Sequence, residues 1–397
     1  MRKKSGACLK KGLAAILTAA VTVLAVPGGT VQTVLAEGEY GYLEETENAP
    51  DVAGLSCIGE MKLDYAECFH IYYYENDYTL IDVTESGKFL LVPEGSETPE
   101  GLSEDITVLP QPLDKIYLQA TSAMALFRAL DGLDHVRMTG TNANGWYIEE
   151  AKEAIENGDM LFAGKYSEPD YEMLVDEGCD LALESTMLLH SPKVQEMIGM
   201  LDIPVFIERA SYETGTLGRT EWIKVYGAML DKEQEACDFF EEQKKIIDDL
   251  QGFENTGKTI AFFYLNSEGT VVVRKTNDYV VNMIDIAGGK YVFDDLSDQE
   301  TTASSVSLSL EEFYAAARDA DFLVYNATIA DPISSVEELL ARSELFADFK
   351  AVKEGNVWTT DKSLFQATDI AGELISDFHR LVTGENQDLM TFLIKVN

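Results

Sequence analysis

Apolar residues near the amino end come in three short runs rich in Tyr, Ile and Val: Phe69–Tyr74, Tyr78–Val83 and Lys88–Val92. Glu75-Asn76-Asp77 and Glu85-Ser86-Gly87 separate them, which predicts a small antiparallel meander. A Pro- and Glu-rich stretch from Pro93 to Pro112 then breaks the pattern. From Ile116 the rhythm changes to short apolar strands alternating with amphipathic helices. The strands are IYLQ, HVRMTG, MLFA, DLAL and PVFI, with helices at Ser122–Leu130, Tyr147–Asn157, Asp170–Asp176 and Pro192–Met200 between them. Such alternation predicts βαβ units on a parallel sheet.

A second block of the same kind starts at Lys258 with KTIAFFYL and TVVVR, followed by a helix over Tyr279–Ile286 ended by Gly288-Gly289. DFLVYN, NVWTT and helices at Val336–Arg342, Leu345–Lys353 and Asp369–Val382 complete it. Between the blocks, Thr220–Leu250 has no Pro and one Gly, Gly227. Apolar or thiol side chains recur there at Trp222, Ile223, Tyr226, Leu230, Cys237, Phe240, Ile247 and Leu250. Spacings of three, four and seven keep one helical face buried. A continuous helix over 220–251 is expected, about 45 Å long and able to cross both lobes, with Gly252 as its stop.

The first 36 residues carry a different pattern. Arg2, Lys3, Lys4, Lys10 and Lys11 precede an apolar run from Leu13 to Val26, and a small-residue site ends at Ala36. That order is the signature of a secretory signal peptide, so an exported protein is expected. A lipid anchor would need a Cys just after the apolar run; Cys8 precedes it and Cys57 lies far beyond it. An acidic, weakly patterned stretch follows, read as a linker over 37–68. The remaining boundaries are an amino-terminal lobe with its leading meander at 69–219, the bridging helix at 220–251, and a carboxy-terminal lobe at 252–397.

Charge narrows the partners. The chain has 397 residues, with 30 Lys and Arg against 70 Asp and Glu, for a net charge of −40. Without the signal segment, 25 basic residues face 70 acidic ones, a net −45. Nucleic acid is excluded as a partner, since phosphate binding needs basic surface. Like charge on every copy favours a soluble monomer. The four cysteines beyond Cys8 make no CxxC, and the sequence leaves open whether Cys57 and Cys68 are bridged.

The segment 112–383 resembles the solute-binding proteins of bacterial ABC importers, in the helical-backbone class that captures ferric siderophores, cobalamin and haem. PLDKIYLQATSAMALFRAL (112–130) is similar to that family's opening strand and helix. Asp170-Tyr171-Glu172-Met173-Leu174, then Gly178-Cys179-Asp180-Leu181, resembles its "N-x-E-x-(I/L) … P-D-L-V" element, with Cys179 in place of Pro. Leu217-Gly218-Arg219-Thr220-Glu221-Trp222-Ile223-Lys224 resembles "P-L-G-R-x-E-W-I-K" at the start of the bridge, with Thr216 in place of Pro. Ala287-Gly288-Gly289, Ser309-Leu310-Glu311-Glu312-Phe313 and Ala320-Asp321-Phe322 follow in the family's order.

The resemblance implies two Rossmann-like α/β lobes bridged by one long helix, behind a small antiparallel β element. It implies binding without catalysis and no resident cofactor. A metal chelate or macrocycle would sit between the lobes, and the complex would dock on an ABC permease dimer through one glutamate per lobe, Glu172 and Glu311. An exported hydrolase or an adhesion module on the same two-lobe fold is the alternative.

Ligands of open α/β sheets bind beyond the carboxyl ends of the strands. The candidates there are Thr121, Ser122, Asn142, Asn144, Trp146, Tyr166, Glu184, Ser185, Thr186, Arg209, Ser211, Tyr212 and Arg219 in the first lobe. In the second they are Asn266, Arg274, Asn277, Asn326, Thr328, Lys362 and Phe365. Arg209, Arg219 and Arg274 stand out because cations are scarce, and an arginine can hold a carboxylate or catecholate by paired hydrogen bonds. A salt bridge to one of the many acids is the ordinary reading of each. The four histidines, His70, His135, His190 and His379, show no metal-ligand spacing. A haem would need only one or two axial ligands, for which Tyr212, His190 and Met187 are available.

Overall fold

The Tyr-rich runs pair as expected, and the computed structural model adds strands on both sides of them. It describes residues 41–250, 253–276, 278–296 and 304–397; the expected signal peptide, Gly252 and Asn277 lie outside the described residues. Residues 44–397 form one contact-defined unit, to which all elements below belong. The strands β1 (Cys57–Met61), β2 (Phe69–Tyr74), β3 (Thr79–Val83), β4 (Gly87–Val92) and β5 (Ile106–Pro110) lie side by side in chain order. The β4–β5 pair is parallel and the others antiparallel.

Both faces of this sheet are apolar because both are covered. Tyr72, Leu80 and Leu90 align across it and pack with Val52, Tyr74, Tyr78 and Val92 under Leu55, Leu102 and Val108. Ile71, Ile81 and Phe89 align on the other face, where Phe89 meets Phe206 at 4.5 Å between ring centroids and Phe69 meets Trp222 at 4.9 Å. The expected linker over 37–68 is therefore corrected. Its acidic composition hides apolar anchors, for Val52 and Met61 are buried and 57–61 is a strand. Likewise the Pro-rich break holds β5. Cys57 and Cys68 are both free thiols.

In the first lobe, β6 (Ile116–Leu118), β7 (Val136–Thr139), β8 (Leu161–Phe162), β9 (Leu181–Glu184) and β10 (Val205–Ile207) form an all-parallel sheet in the order β10-β9-β6-β7-β8. The crossovers α1 (Thr121–Ala129), α2 (Glu149–Asn157), α3 (Tyr171–Glu177) and α4 (Pro192–Gly199) fall within two residues of their predicted positions. Sequence signals explain their ends: the Asp170 side chain caps α3 by accepting from the Met173 N–H, Gly178 closes it at φ +70°, and Pro192 opens α4.

The second lobe is not a plain repeat of the first. Its sheet runs β14-β12-β11-β15-β16-β17, from β11 (Thr259–Leu265), β12 (Val271–Arg274), β14 (Ser305–Leu308), β15 (Phe322–Tyr325), β16 (Val357–Thr360) and β17 (Leu393–Lys395), with β13 (Lys290–Tyr291) parallel beside β11. β11–β15–β16 are parallel, whereas β12, β14 and β17 pair antiparallel. KTIAFFYL and TVVVR are thus two arms of a hairpin, for the Asn266–Thr270 turn is too short for a crossover. The helices are α8 (Tyr279–Ile286), α9 (Leu310–Ala317), α10 (Val336–Arg342), α11 (Lys350–Lys353) and α12 (Ala371–Thr383).

The bridge between the lobes is helical, but it is not one helix. α5 (Thr216–Glu221) and α6 (Ile223–Met229) run through Trp222, the chain turns over Leu230–Lys232, and α7 (Glu233–Asp248) follows. Asp231 takes φ +54°, and Lys232 ties the turn down by donating to the carbonyls of Leu130 and Asp131 at 2.6 and 2.7 Å. Gly227 makes the turn possible, since a Cβ there would lie 2.6 Å from the Ala236 methyl. The helical period over 220–250 survived the break, because each half buries its own stripe. α6 packs on the first lobe through Tyr226 and Phe127, 4.9 Å apart. α7 packs on the second, where the Gly372 N–H donates to Gln243 at 3.0 Å.

The start of the bridge also holds the amino-terminal sheet. Glu221 is wholly buried and accepts from the backbone N–H groups of Asp64, Tyr65 and Ala66 at 2.7–2.9 Å. Glu213 accepts from those of Glu67 and Cys68 at 2.9 and 3.0 Å, and from the Trp222 indole at 2.9 Å. Lys224 donates to Glu221 at 2.7 Å and to the Lys62 carbonyl at 2.8 Å. Removing one member of such a buried charged set strands the others. Glu221→Ala should therefore lower the unfolding free energy by about 3 kcal/mol or more, read by denaturant titration. A loss within that of an ordinary surface substitution would contradict this role.

Candidate functional site

The loops that follow β7 in the first lobe and β16 in the second meet across a cleft between the lobes. Its base is closed by contacts across the lobes. The Tyr147 N–H donates to Gln366 Oε1 and Gln366 Nε2 donates to the Gly145 carbonyl, each at 2.8 Å. Tyr147 and Phe365 meet edge-on at 6.0 Å, Arg128 pairs with Asp369, and Thr220 Oγ1 donates to the Thr368 carbonyl at 3.0 Å. Gln366 is buried although amide side chains prefer water, because both ends of its amide are used across the gap. A narrow crevice continues inward between Arg219, Thr220, Tyr279, Phe365 and Ala371. A cavity of about 510 Å³ runs along α8, lined by Thr214, Asn255, Asp278, Asn282 and Asp285, apart from this crevice.

The expected site residues sort into three groups. Ser122, Arg209, Tyr212, Arg219 and Phe365 stand at the cleft with side chains presented to it or to one another. Ser122 Oγ donates to Glu208 at 3.3 Å, Arg209 stacks over the Tyr212 ring at 4.3 Å, and Arg219 stacks over Tyr279 at 4.2 Å. Thr121, Asn142, Asn144, Tyr166, Thr186, Ser211 and Thr328 lie partly or fully exposed on these loops.

A second group works for the protein itself. Trp146 is buried and donates from Nε1 to the Thr141 carbonyl, so it shapes its loop. Ser185 caps the turn at Met187. Asn266 Oδ1 accepts from Glu268 and Thr270 and closes the β11–β12 turn. Asn326 is buried with Oδ1 accepting from Thr328. Arg274 pairs with Asp278 at 3.5 Å and Lys362 with Asp331 at 3.6 Å. The third group lies on the surface: Glu172 and Glu311 are exposed on the first turns of α3 and α9, one per lobe. Met187, His190 and Tyr212 are exposed too. Among the described residues, no cluster of three or more His, Cys, Asp or Glu is placed to hold a metal ion.

Sequence reasoning missed Gln366, Asp369, Arg128 and Tyr279, which join the lobes from sequence positions far apart. Glu208 was missed as well, although it adjoins Arg209. Glu208 is buried, accepts from the Ala210 N–H at 2.7 Å, and has its pKa raised by desolvation, partly countered by that hydrogen bond and by Arg219. Burial likewise raises Asp278 and Asp369, against the pull of Arg274 and Arg128 respectively.

Glu184 is the most exposed to this effect. Its carboxyl is wholly buried at the end of β9, and neither oxygen has a hydrogen-bond partner. Desolvation alone pushes its pKa up to about 8, so it is protonated at neutral pH. The neighbouring groups are Tyr117, Tyr171 and Cys179, all neutral there and raised further by burial.

The sign of the pH effect follows from the two states. Between pH 4.5 and 8 the folded protein holds the Glu184 proton that the unfolded chain releases. The stabilisation is complete below pH 4.5 and is lost as pH rises through 8. Wild type should lose on the order of a few kcal/mol from this group across that window, and Glu184→Gln should lack the component. Denaturant titrations at pH 5, 6, 7 and 8 measure it; parallel pH profiles for the two proteins would refute it.

Comparison with known proteins gives the arrangement a context. A family model described as periplasmic binding protein matches residues 122–364. The lipoprotein MJ0878 of Methanocaldococcus jannaschii is 25% identical over 334 residues, 77% of this chain and 77% of its own length. Among solved structures, the periplasmic haem-binding protein HutB of Vibrio cholerae superposes with a TM-score of 0.55 at 14% identity, covering 68% of this chain and 98% of HutB. A component of an ABC-type Fe3+-hydroxamate transport system from Saccharomonospora viridis gives 0.52 at 18% identity, covering 68% and 93%. The two structures share the fold. The matched region begins after β5, so the amino-terminal sheet precedes it.

Proposed function

The chain belongs to the periplasmic binding protein family, and on that footing we propose that it is an extracytoplasmic receptor that delivers a metal chelate or macrocycle to an ABC importer. The cargo classes are an iron–siderophore, a corrinoid or haem, and the protein itself carries out no catalysis and needs no cofactor. The observation that carries this reading is the cleft at the strand ends. Gln366 joins the lobes there through the 145–147 loop, Tyr147 and Phe365 present exposed apolar surface at that contact, and Tyr212 and Met187 are exposed on the loops after β10 and β9. Exposed aromatic and thioether groups on strand-end loops suit a bulky organic ligand and do little for a bare ion. HutB and the Fe3+-hydroxamate component, which share the fold, have names that point to haem and to ferric hydroxamates.

Docking fits the same reading. Glu172 and Glu311 occupy equivalent places, each exposed in the first turn of a helix, one on each lobe. In the second lobe the neighbouring Glu312 is engaged in a capping box with Ser309, which leaves Glu311 as the glutamate suited to meet a permease arginine. Charges of this kind set association rate and orientation.

Thermal-shift and fluorescence titration of the purified protein against ferric siderophores, haem, cobalamin and cobinamide should show one class that stabilises it. Stabilisation by none of them would overturn the receptor reading. A haem response should bring a Soret shift that is lost in Tyr212→Ala, His190→Ala or Met187→Ala; if all three retain it, the axial assignment is wrong. Glu172→Ala combined with Glu311→Ala should reduce uptake in permease-containing proteoliposomes by tenfold or more while cargo affinity stays unchanged. A loss of affinity instead would move these residues into the binding site.

A further inference from the structure

The arginines around the cleft all face carboxylates, and the one that faces Arg209 comes from the amino-terminal sheet. Arg128 pairs with the buried Asp369 and reaches the exposed Glu150 at 3.7 Å, and Arg274 pairs with the buried Asp278. Arg219 lies in the field of the buried Glu208. Arg209 instead pairs at 2.9 Å with Glu85, whose side chain is 73% exposed while that of Arg209 is 11% exposed. Glu85 comes from the amino-terminal sheet, outside the region matched by the family model.

The position of Glu85 is built. It sits in the β3–β4 turn with φ +57°, and backbone hydrogen bonds hold the turn on both sides. The Thr84 N–H donates to the Cys68 carbonyl at 3.0 Å and the Ser86 N–H to the Val83 carbonyl at 2.9 Å. Cys68 is itself held by Glu213, so the turn is tied to the start of the bridge. The Arg209 guanidinium lies against the exposed Tyr212 ring, and its Nε has no acceptor. Thus a cleft arginine with a spare donor, its Nε, is faced by a water-exposed carboxylate. Water reaches the Glu85 side of this pair, which weakens it relative to a buried one. Its effect falls on whatever charge a ligand brings.

We propose that Glu85 is a specificity-determining residue, which competes with anionic groups of the cargo for Arg209 and biases the cleft toward neutral and cationic chelates. The inference rests on the receptor reading above. An anion entering beside Tyr212 must displace Glu85 from the guanidinium and tolerate its charge nearby. A neutral or cationic chelate meets neither obstacle. The amino-terminal sheet thereby gains a role in ligand choice as well as in stability.

Fluorescence titrations with three ferric chelates of graded charge test this: an anionic tris-catecholate, a neutral trihydroxamate and a cationic trihydroxamate. Wild type should bind the tris-catecholate more weakly than the better of the two hydroxamates. Glu85→Gln should strengthen tris-catecholate binding roughly fivefold and leave the neutral chelate unchanged, with a larger gain in Glu85→Lys. Adding Arg209→Gln to Glu85→Gln should abolish the gain. An unaltered charge preference in both Glu85 variants, or equal changes for all three chelates, overturns this inference while the receptor reading stands. Absence of binding by any of the chelates, haem or corrinoids to wild type and variants overturns both.

Discussion

Five backbone N–H groups of one short segment point at two buried glutamates, and the arrangement of the whole molecule depends on that contact. Residues 64–68 have no strand or helix partner for these donors; Glu221 and Glu213 supply the acceptors. The same two side chains engage Lys224 and Trp222, so the first turns of the bridge and the segment between β1 and β2 share one hydrogen-bonded knot. The burial of these two carboxylates is tolerable because both are so fully satisfied. The knot sets where β2 begins, hence where the β3–β4 turn falls, hence why Glu85 reaches Arg209.

Electrostatics in the cleft follow from scarcity. With 30 basic residues against 70 acidic ones, an arginine left without an acid would be unusual, and Arg128, Arg209, Arg219 and Arg274 all face one. The acids that face them from the interior have raised pKa values because burial outweighs the neighbouring positive charge. The cleft is therefore no concentrated anion trap. Its selectivity must arise from shape, apolar rim and the balance at particular pairs, which is why a single exposed carboxylate can matter there.

Much of the fold was legible in the pattern of apolar residues. The helices of the first lobe lie where the 3.6-residue period placed them, and the Tyr-rich runs are strands. Legibility failed where a local signal was outweighed by a distant partner. Composition marked residues 37–68 as linker, yet Val52 and Met61 are core and Glu221 lies about 155 residues beyond the loop it holds. The bridge kept its period through the turn at Asp231 because Gly227 lets α6 and α7 pack closely, and a period measured along the chain does not register a reversal between two matching stripes. Of the expected site residues, Ser122, Arg209, Tyr212 and Arg219 pack against neighbours on the loops after the first lobe's strands and the start of the bridge. Trp146, Asn266 and Asn326 proved to serve their own loops, a use that residue type alone does not distinguish from ligand contact.

The sequence by itself determined the Tyr-rich strands, the strand–helix alternation of the first lobe, the helical character of the bridge and the poverty of cations. These are properties of local period and composition, and they survive any arrangement in space. Tertiary structure alone decided that the second sheet is mixed, that the bridge turns back at Leu230–Lys232, and which loops meet across the cleft. It also decided that Gln366 clasps Tyr147 and that Glu85 confronts Arg209. Each of these joins residues tens to hundreds of positions apart, and the free energy that selects them lies in burial and hydrogen-bond satisfaction between segments, which no local pattern encodes.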